Sequence, residues 1–185
     1  MNITDLTLPG LRLLTPARFE DERGFFMETF RESEFTRLNF PVFVQSNHSR
    51  SHKNVLRGLH FQLNPQSQGK LVRCVSGVVF DVAVDIRRGS PSFGQWLGVE
   101  LSGSEGSMLY VPPGFAHGFC VLSDQADVVY QQTAYYSPEL QRGIRWDDPE
   151  LGIEWPVDNP LLSPADSNAP GFAEVENNFV FSDLD

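Results

Sequence analysis

The chain has 185 residues, of which 41% are hydrophobic and 21% charged, and its net charge is −10. That composition excludes a disordered or fibrous chain, and the acidity argues against nucleic acid and anionic membrane surfaces as partners. The length suits one domain over residues 1–185 with a substantial core.

The opening MNITDLTLPG has no basic patch followed by an apolar core, and nowhere do eighteen apolar residues run together. Neither secretion nor membrane insertion is indicated. Cys74 and Cys120 lack a Cys-x-x-Cys partner and sit in apolar runs, which reads as reduced core thiols in a cytoplasmic protein.

In chain order, RESEFTRLNF predicts a short helix capped by Ser33 and ending before Pro41. The polar run SNHSRSHKN, with His48 and His52, reads as a solvated loop. VLRGLHFQL, residues 55–63, reads as a buried strand. On a regular strand His60 and Gln62 share one face and Arg57 points to the other. A bulge at Gly58 would re-aim the residues after it and bring Arg57 and His60 together.

From Lys70 onward the period is two. In VVFDVAVDIR, Phe80, Val82, Val84 and Ile86 face one way and Asp81, Asp85 and Arg87 the other, the pattern of a half-buried strand. QWLGVEL, SMLYV, AHGFCVL and ADVVYQQTAY are further strands, punctuated by RRGSPSFG, SGSEG and PPG. Short strands at regular spacing predict an all-β sandwich or barrel, jelly rolls of the cupin type included. After Trp146, the Pro-, Asp- and Asn-rich stretch predicts an extended, ordered segment wrapped on the barrel and anchored by Ile153, Trp155, Leu161 and Leu162.

If the inward face of residues 55–63 lines a barrel, His60 is a partly desolvated imidazole and a candidate base. A second histidine, His117, opens the strand after Pro-Pro-Gly. A metal-binding cupin would offer His-x-His followed by Glu, whereas this chain has His60-Phe61-Gln62 and then Gln66, Ser67 and Gln68. A neutral amide replaces imidazole or carboxylate poorly toward a transition metal, so no metal is expected. The remaining candidates, Lys70, Tyr130, Tyr136 and Asp166, suit proton transfer. Taken singly, each has a plainer structural reading: a surface cation, two core or rim aromatics, and a cap. Only their occurrence together suggests a site.

The ordered series DERGFF, NHS, LRGLHFQ, QGKLVR, GVVFDVAVDIR, PPGFAHGF, YY and GIRW resembles the dTDP-4-dehydrorhamnose 3,5-epimerases, from about Phe19 to Asp166. The resemblance implies a cupin-type double-stranded β-helix, with short peripheral helices and an extended C-terminal segment. It also implies a homodimer without metal or organic cofactor, acting on a dTDP-linked 4-keto-6-deoxy sugar in dTDP-rhamnose synthesis. His60 then matches the catalytic base, Asp166 the carboxylate that orients it, Tyr130 the acid on the opposite face, and Lys70 the cation near the keto oxygen. Arg23, Glu28, Gln45, Ser46, Asn47, Arg57, His117 and Tyr136 match nucleotide and sugar contacts. A diphosphate entering so acidic a protein requires Arg23 and Arg57 to be gathered near it.

Two positions depart from the family pattern: Gln141 stands where glutamate is usual, and Ala165 where a lysine often precedes the aspartate. They bear on nucleotide or sugar preference. A C3-only or C5-only epimerase, a non-catalytic sugar-binding or assembly cupin, and a metal-dependent oxygenase are the competing expectations.

Overall fold

The computed structural model describes residues 1–182; residues 183–185 of the expected domain lie outside the described residues. Among these, thirteen strands and two short helices are found. They are β1 (Asn2–Asp5), β2 (Arg12–Thr15), β3 (Arg18–Asp21), β4 (Gly24–Met27), α1 (Glu32–Arg37), β5 (Gln45–His52), β6 (Leu56–Gln62) and β7 (Lys70–Ser76). There follow β8 (Val78–Asp85), β9 (Trp96–Ser102), β10 (Met108–Val111), β11 (Phe115–Val121), β12 (Gln125–Gln132), β13 (Gln141–Gly143) and α2 (Pro164–Ser167).

A six-stranded sheet in the order β1-β2-β10-β7-β12-β5 faces a five-stranded sheet in the order β13-β6-β11-β8-β9, and β3 and β4 form a separate hairpin. Every pairing between named strands is antiparallel. This is the all-β jelly roll of the cupin type. Alternating residues of both sheets meet in the central core, with Val72, Cys74 and Val128 from one and Val79, Ala83 and Phe119 from the other. Burying the larger of these, Val72, Val79, Val128 and Phe119, stabilises the sandwich by roughly 1.5–3 kcal/mol each.

The outer faces are covered too. Phe35 of α1 packs with Leu14, Leu71, Met108 and Tyr110 on the back of the larger sheet. The C-terminal segment lays Ile153, Trp155, Val175 and Phe179 on the back of the smaller one, against Phe80, Val82, Val84 and Ile86. Strand β8 is therefore buried on both faces rather than one: Asp81 and Asp85 are fully enclosed. Asp85 stays ionised there because Arg87, Ser90 and Ser92 all donate to it.

Three local expectations need correction. Ser33 does not cap α1; Arg31 occupies the cap position without a side-chain bond, while Glu32 and Glu34 at the start and Arg37 at the end complement the helix dipole. Residues 45–52 form a strand, not a solvated loop, paired over its whole length with β12. Leu161 is exposed and joins Val55 through a backbone bridge, so Val175 and Phe179 are the anchors in its place.

Candidate active site

One cavity of about 680 Å³ opens between the sheets at the end where β5, β6, β7, β11 and β12 meet. Its six-stranded wall is set by register. Gln45, Gln132 and Lys70 lie in one row across β5, β12 and β7, and Asn47, Tyr130 and Val72 in the next. The facing wall carries Arg57, His60 and Gln62 from β6 with His117 and Phe119 from β11. Tyr136, Gln141, Leu162, Ala165 and Asp166 complete the rim.

Strand β6 solves its parity problem with a bulge at Gly58. His60 pairs with His117 and Arg57 with Phe119, so β6 carries one residue more than β11 between these pairs. Gly58 adopts φ +128°, a conformation nearly confined to glycine. A side chain there would put its Cβ 2.5 Å from Gly118 Cα and 2.9 Å from the His117 carbonyl oxygen. Arg57 and His60 consequently line the same cavity. Gln62 braces the rim. Its amide accepts from Ser137 N–H at 2.9 Å and donates to the Tyr135 carbonyl at 3.0 Å, pinning the loop that carries Tyr136.

His60 Nε2 lies 2.6 Å from Asp166 Oδ1. Asp166 is only 5% exposed, held in α2 with Ser163 Oγ donating to its other oxygen at 2.9 Å. Burial works to raise the Asp166 pKa, but the bonds from His60, Ser163 and the Gly58 backbone outweigh it and hold the carboxyl below its usual range. An ionised Asp166 accepting from Nε2–H leaves Nδ1 as the ring nitrogen able to take a proton.

Lys70 is buried at 8% exposure, not a surface cation. Its Nζ reaches across from the opposite sheet to the His60 carbonyl oxygen at 3.2 Å. Desolvation lowers its pKa to about 8, against a smaller upward pull from Asp81. His117 is enclosed and bonded through Nε2 to Asp81 at 2.9 Å.

Of the residues expected at the site, the cavity gathers His60, Lys70, Tyr130, Asp166, Gln45, Asn47, Arg57, His117 and Tyr136. It does not gather Arg23, Glu28 or Ser46. Arg23 sits at the tip of the exposed β3–β4 hairpin, paired with Asp21. Glu28 pairs with Arg31 at 2.6 Å. Ser46, one step from Gln45 and Asn47 on β5, faces the other side of its sheet. The requirement that both arginines converge is thus met by Arg57 alone within this chain. Gln68, Gln132 and Phe119 line the cavity and Asp81 supports it from behind, none of them singled out from sequence. Asp81 lies on the face that the strand pattern assigns to solvent, so the sequence pointed away from it.

A family model described as dTDP-4-dehydrorhamnose 3,5-epimerase matches residues 5–174. The chain belongs to the dTDP-4-dehydrorhamnose 3,5-epimerase family. A relative of that name from Shigella flexneri is 53% identical over 178 residues, covering 95% of this chain and 98% of its own. A crystal structure of dTDP-6-deoxy-D-glucose-3,5-epimerase from Legionella pneumophila, in complex with dTDP-4-keto-L-rhamnose, is 48% identical with a TM-score of 0.90, covering 95% of this chain and 94% of that one. A dTDP-4-dehydrorhamnose 3-epimerase from Streptomyces niveus is 39% identical over 179 residues, 96% of this chain and 86% of its own.

Proposed function

We infer that the chain is a dTDP-4-dehydrorhamnose 3,5-epimerase, inverting C3 and C5 of dTDP-4-keto-6-deoxyglucose to give dTDP-4-keto-rhamnose. Inverting a carbon beside a ketone needs a proton removed from one face and another delivered to the opposite face. The observation that carries the reading is that His60, backed by Asp166 at 2.6 Å, and Tyr130 belong to opposed sheets and line one cavity.

In this reading His60 Nδ1 takes the proton, and the electrons of the broken C–H bond move to the keto oxygen. The Lys70 ammonium, held in a largely dry floor, stabilises that enolate. Asp166 stabilises the imidazolium formed at His60. The Tyr130 hydroxyl then delivers a proton to the other face of the carbon, and solvent restores both groups. Arg57 meets the diphosphate with its planar fork. Gln45, Asn47, His117 and Tyr136 contact sugar and nucleotide, with Tyr136 offering a half-exposed ring at the rim.

The chain is read as one domain working as a homodimer in the cytoplasm. Support for the dimer comes from the exposed rings of Phe19, Phe25 and Phe26 on the β3–β4 hairpin, with Val42 and Val44 before β5, apolar side chains of the kind that a subunit interface covers. Arg23 and Glu28 would act there, at a joint surface. No described helix is long and apolar enough to cross a membrane, and both cysteines are free thiols.

Incubation with dTDP-4-keto-6-deoxyglucose in heavy water, followed by NMR, tests the reading. Deuterium at both C3 and C5 is expected. Incorporation at one carbon only would make this a mono-epimerase, the second reading that the Streptomyces niveus relative keeps in view; incorporation at neither would refute catalysis.

A further inference from the structure

The chemistry above uses Lys70 and His117 but not the group behind them. Asp81 on β8 has 0% exposure and does not line the cavity. Its two oxygens lie 2.9 and 3.0 Å from His117 Nε2. Across the β8–β11 ladder Asp81 pairs with Phe119 and Ala83 with His117, so Asp81 and His117 are diagonal neighbours. Among the described residues no other side chain bonds to Asp81. A buried carboxylate with one imidazole as its only bonded partner costs more to desolvate than that bond returns. An apolar residue would pack the same space more cheaply.

We infer that Asp81 is a positioning residue for the enolate step: it fixes the His117 ring through Nε2 and supplies the buried negative charge against which Lys70 is held as an ammonium. This rests on the enolate role given to Lys70 above.

The groups facing Asp81 are His117 and Cys120 from β11 and Lys70 and Cys74 from β7, with His60 of β6 acting on His117. Burial raises both thiols, Cys120 to about 11, so neither supplies charge near neutral pH. Burial lowers the His117 pKa, and Lys70 and His60 add to that fall while Asp81 opposes it. His117 is therefore neutral, with Nε2–H given to Asp81 and Nδ1 left as the acceptor nitrogen of a ring that lines the cavity, a form suited to receiving a sugar hydroxyl. Lys70 remains as the cation of the floor. Without Asp81, Lys70 keeps its bond to the His60 carbonyl but loses the buried negative charge that opposes its desolvation, and so gives up its proton at lower pH.

The test is Asp81→Asn, which keeps the shape and an acceptor for Nε2–H but removes the charge. Turnover of the wild type should fall as pH rises through about 8, where Lys70 deprotonates. In Asp81→Asn that limb should move to lower pH by about one unit, with about a fivefold loss of kcat at pH 8, where the wild-type lysine is already half deprotonated. KM should change by less than about threefold, since the lost effect is confined to the enolate. Lys70→Arg, whose guanidinium keeps its charge, should show the same basic limb with and without Asp81→Asn. An unmoved limb in folded Asp81→Asn overturns the inference. Should that variant not fold, ¹⁵N NMR of wild-type His117 decides: a proton on Nε2 and none on Nδ1 is expected, and the opposite tautomer overturns it. Failure of the epimerase reading would look different, as wild-type protein taking up no deuterium at C3 or C5.

Discussion

Lys70 sets function against stability, and replacing it separates the two. Lys70→Met keeps the length of the side chain and removes the cation. Moving a lysine from its ordinary 10.5 down to about 8 means that the fold disfavours the charged form by about 3 kcal/mol. That penalty is fully present below pH 8 and fades as pH rises from there to the unfolded value. Methionine escapes it but forfeits the bond from Nζ to the His60 carbonyl, worth about 1 kcal/mol. The net expectation is a variant more stable by about 2 kcal/mol at pH 7, which for a chain of this length raises Tm by about 4–8 °C. The same variant should lose about 10²–10³ in kcat, the usual cost of removing an oxyanion-stabilising group. Urea unfolding at pH 7 and pH 10 at fixed protein concentration, with turnover measured in parallel, checks both halves. A variant that is less stable than wild type at pH 7, or one that retains wild-type kcat, would refute the reasoning.

Two further substitutions probe the frame around His60. Asp166→Asn can still accept from Nε2–H but cannot stabilise the imidazolium; exchanging a charged for a neutral hydrogen bond removes about 1–1.5 kcal/mol, so kcat should fall about 5- to 13-fold with KM nearly constant in steady-state assays. Gly58→Ala must place a Cβ 2.5 Å from Gly118 Cα at φ +128°; backbone strain and overpacking together should cost about 3–5 kcal/mol by urea unfolding, and kcat/KM should drop about 100-fold as the bulge that aligns His60 shifts.

How far the sequence could be read depended on where water is. Strands β7 to β12 were legible because their apolar residues repeat every second position against a continuous core. Strand β5 was not, because its inward residues Gln45 and Asn47 line a polar cavity while outward His48 and Arg50 meet solvent and Asp127, so neither face is apolar. Asp81 reads as solvent-facing from its strand pattern for a related reason: alternation reveals that a strand has two faces, not what covers the second. The C-terminal segment covers one face of β8 and the barrel interior the other. Within the site, His60, Lys70, Tyr130 and Asp166 were legible only as a set, being spread over 106 residues between His60 and Asp166. Arg23 and Glu28 follow from resemblance alone, and a single chain holds them outside its cavity. The Gly58 bulge was legible because Arg57 and His60 cannot share a face without it.

The most direct test of the central claim compares Tyr130→Phe with His60→Ala by substrate wash-in from heavy water, resolving configuration at C3 and C5. With His60 on one face of the sugar and Tyr130 on the other, Tyr130→Phe should still exchange hydrogen for deuterium but return it to the same face, leaving configuration retained. His60→Ala should exchange at neither carbon. Inversion at the wild-type rate in Tyr130→Phe, or continued exchange in His60→Ala, would contradict the assignment of the two faces.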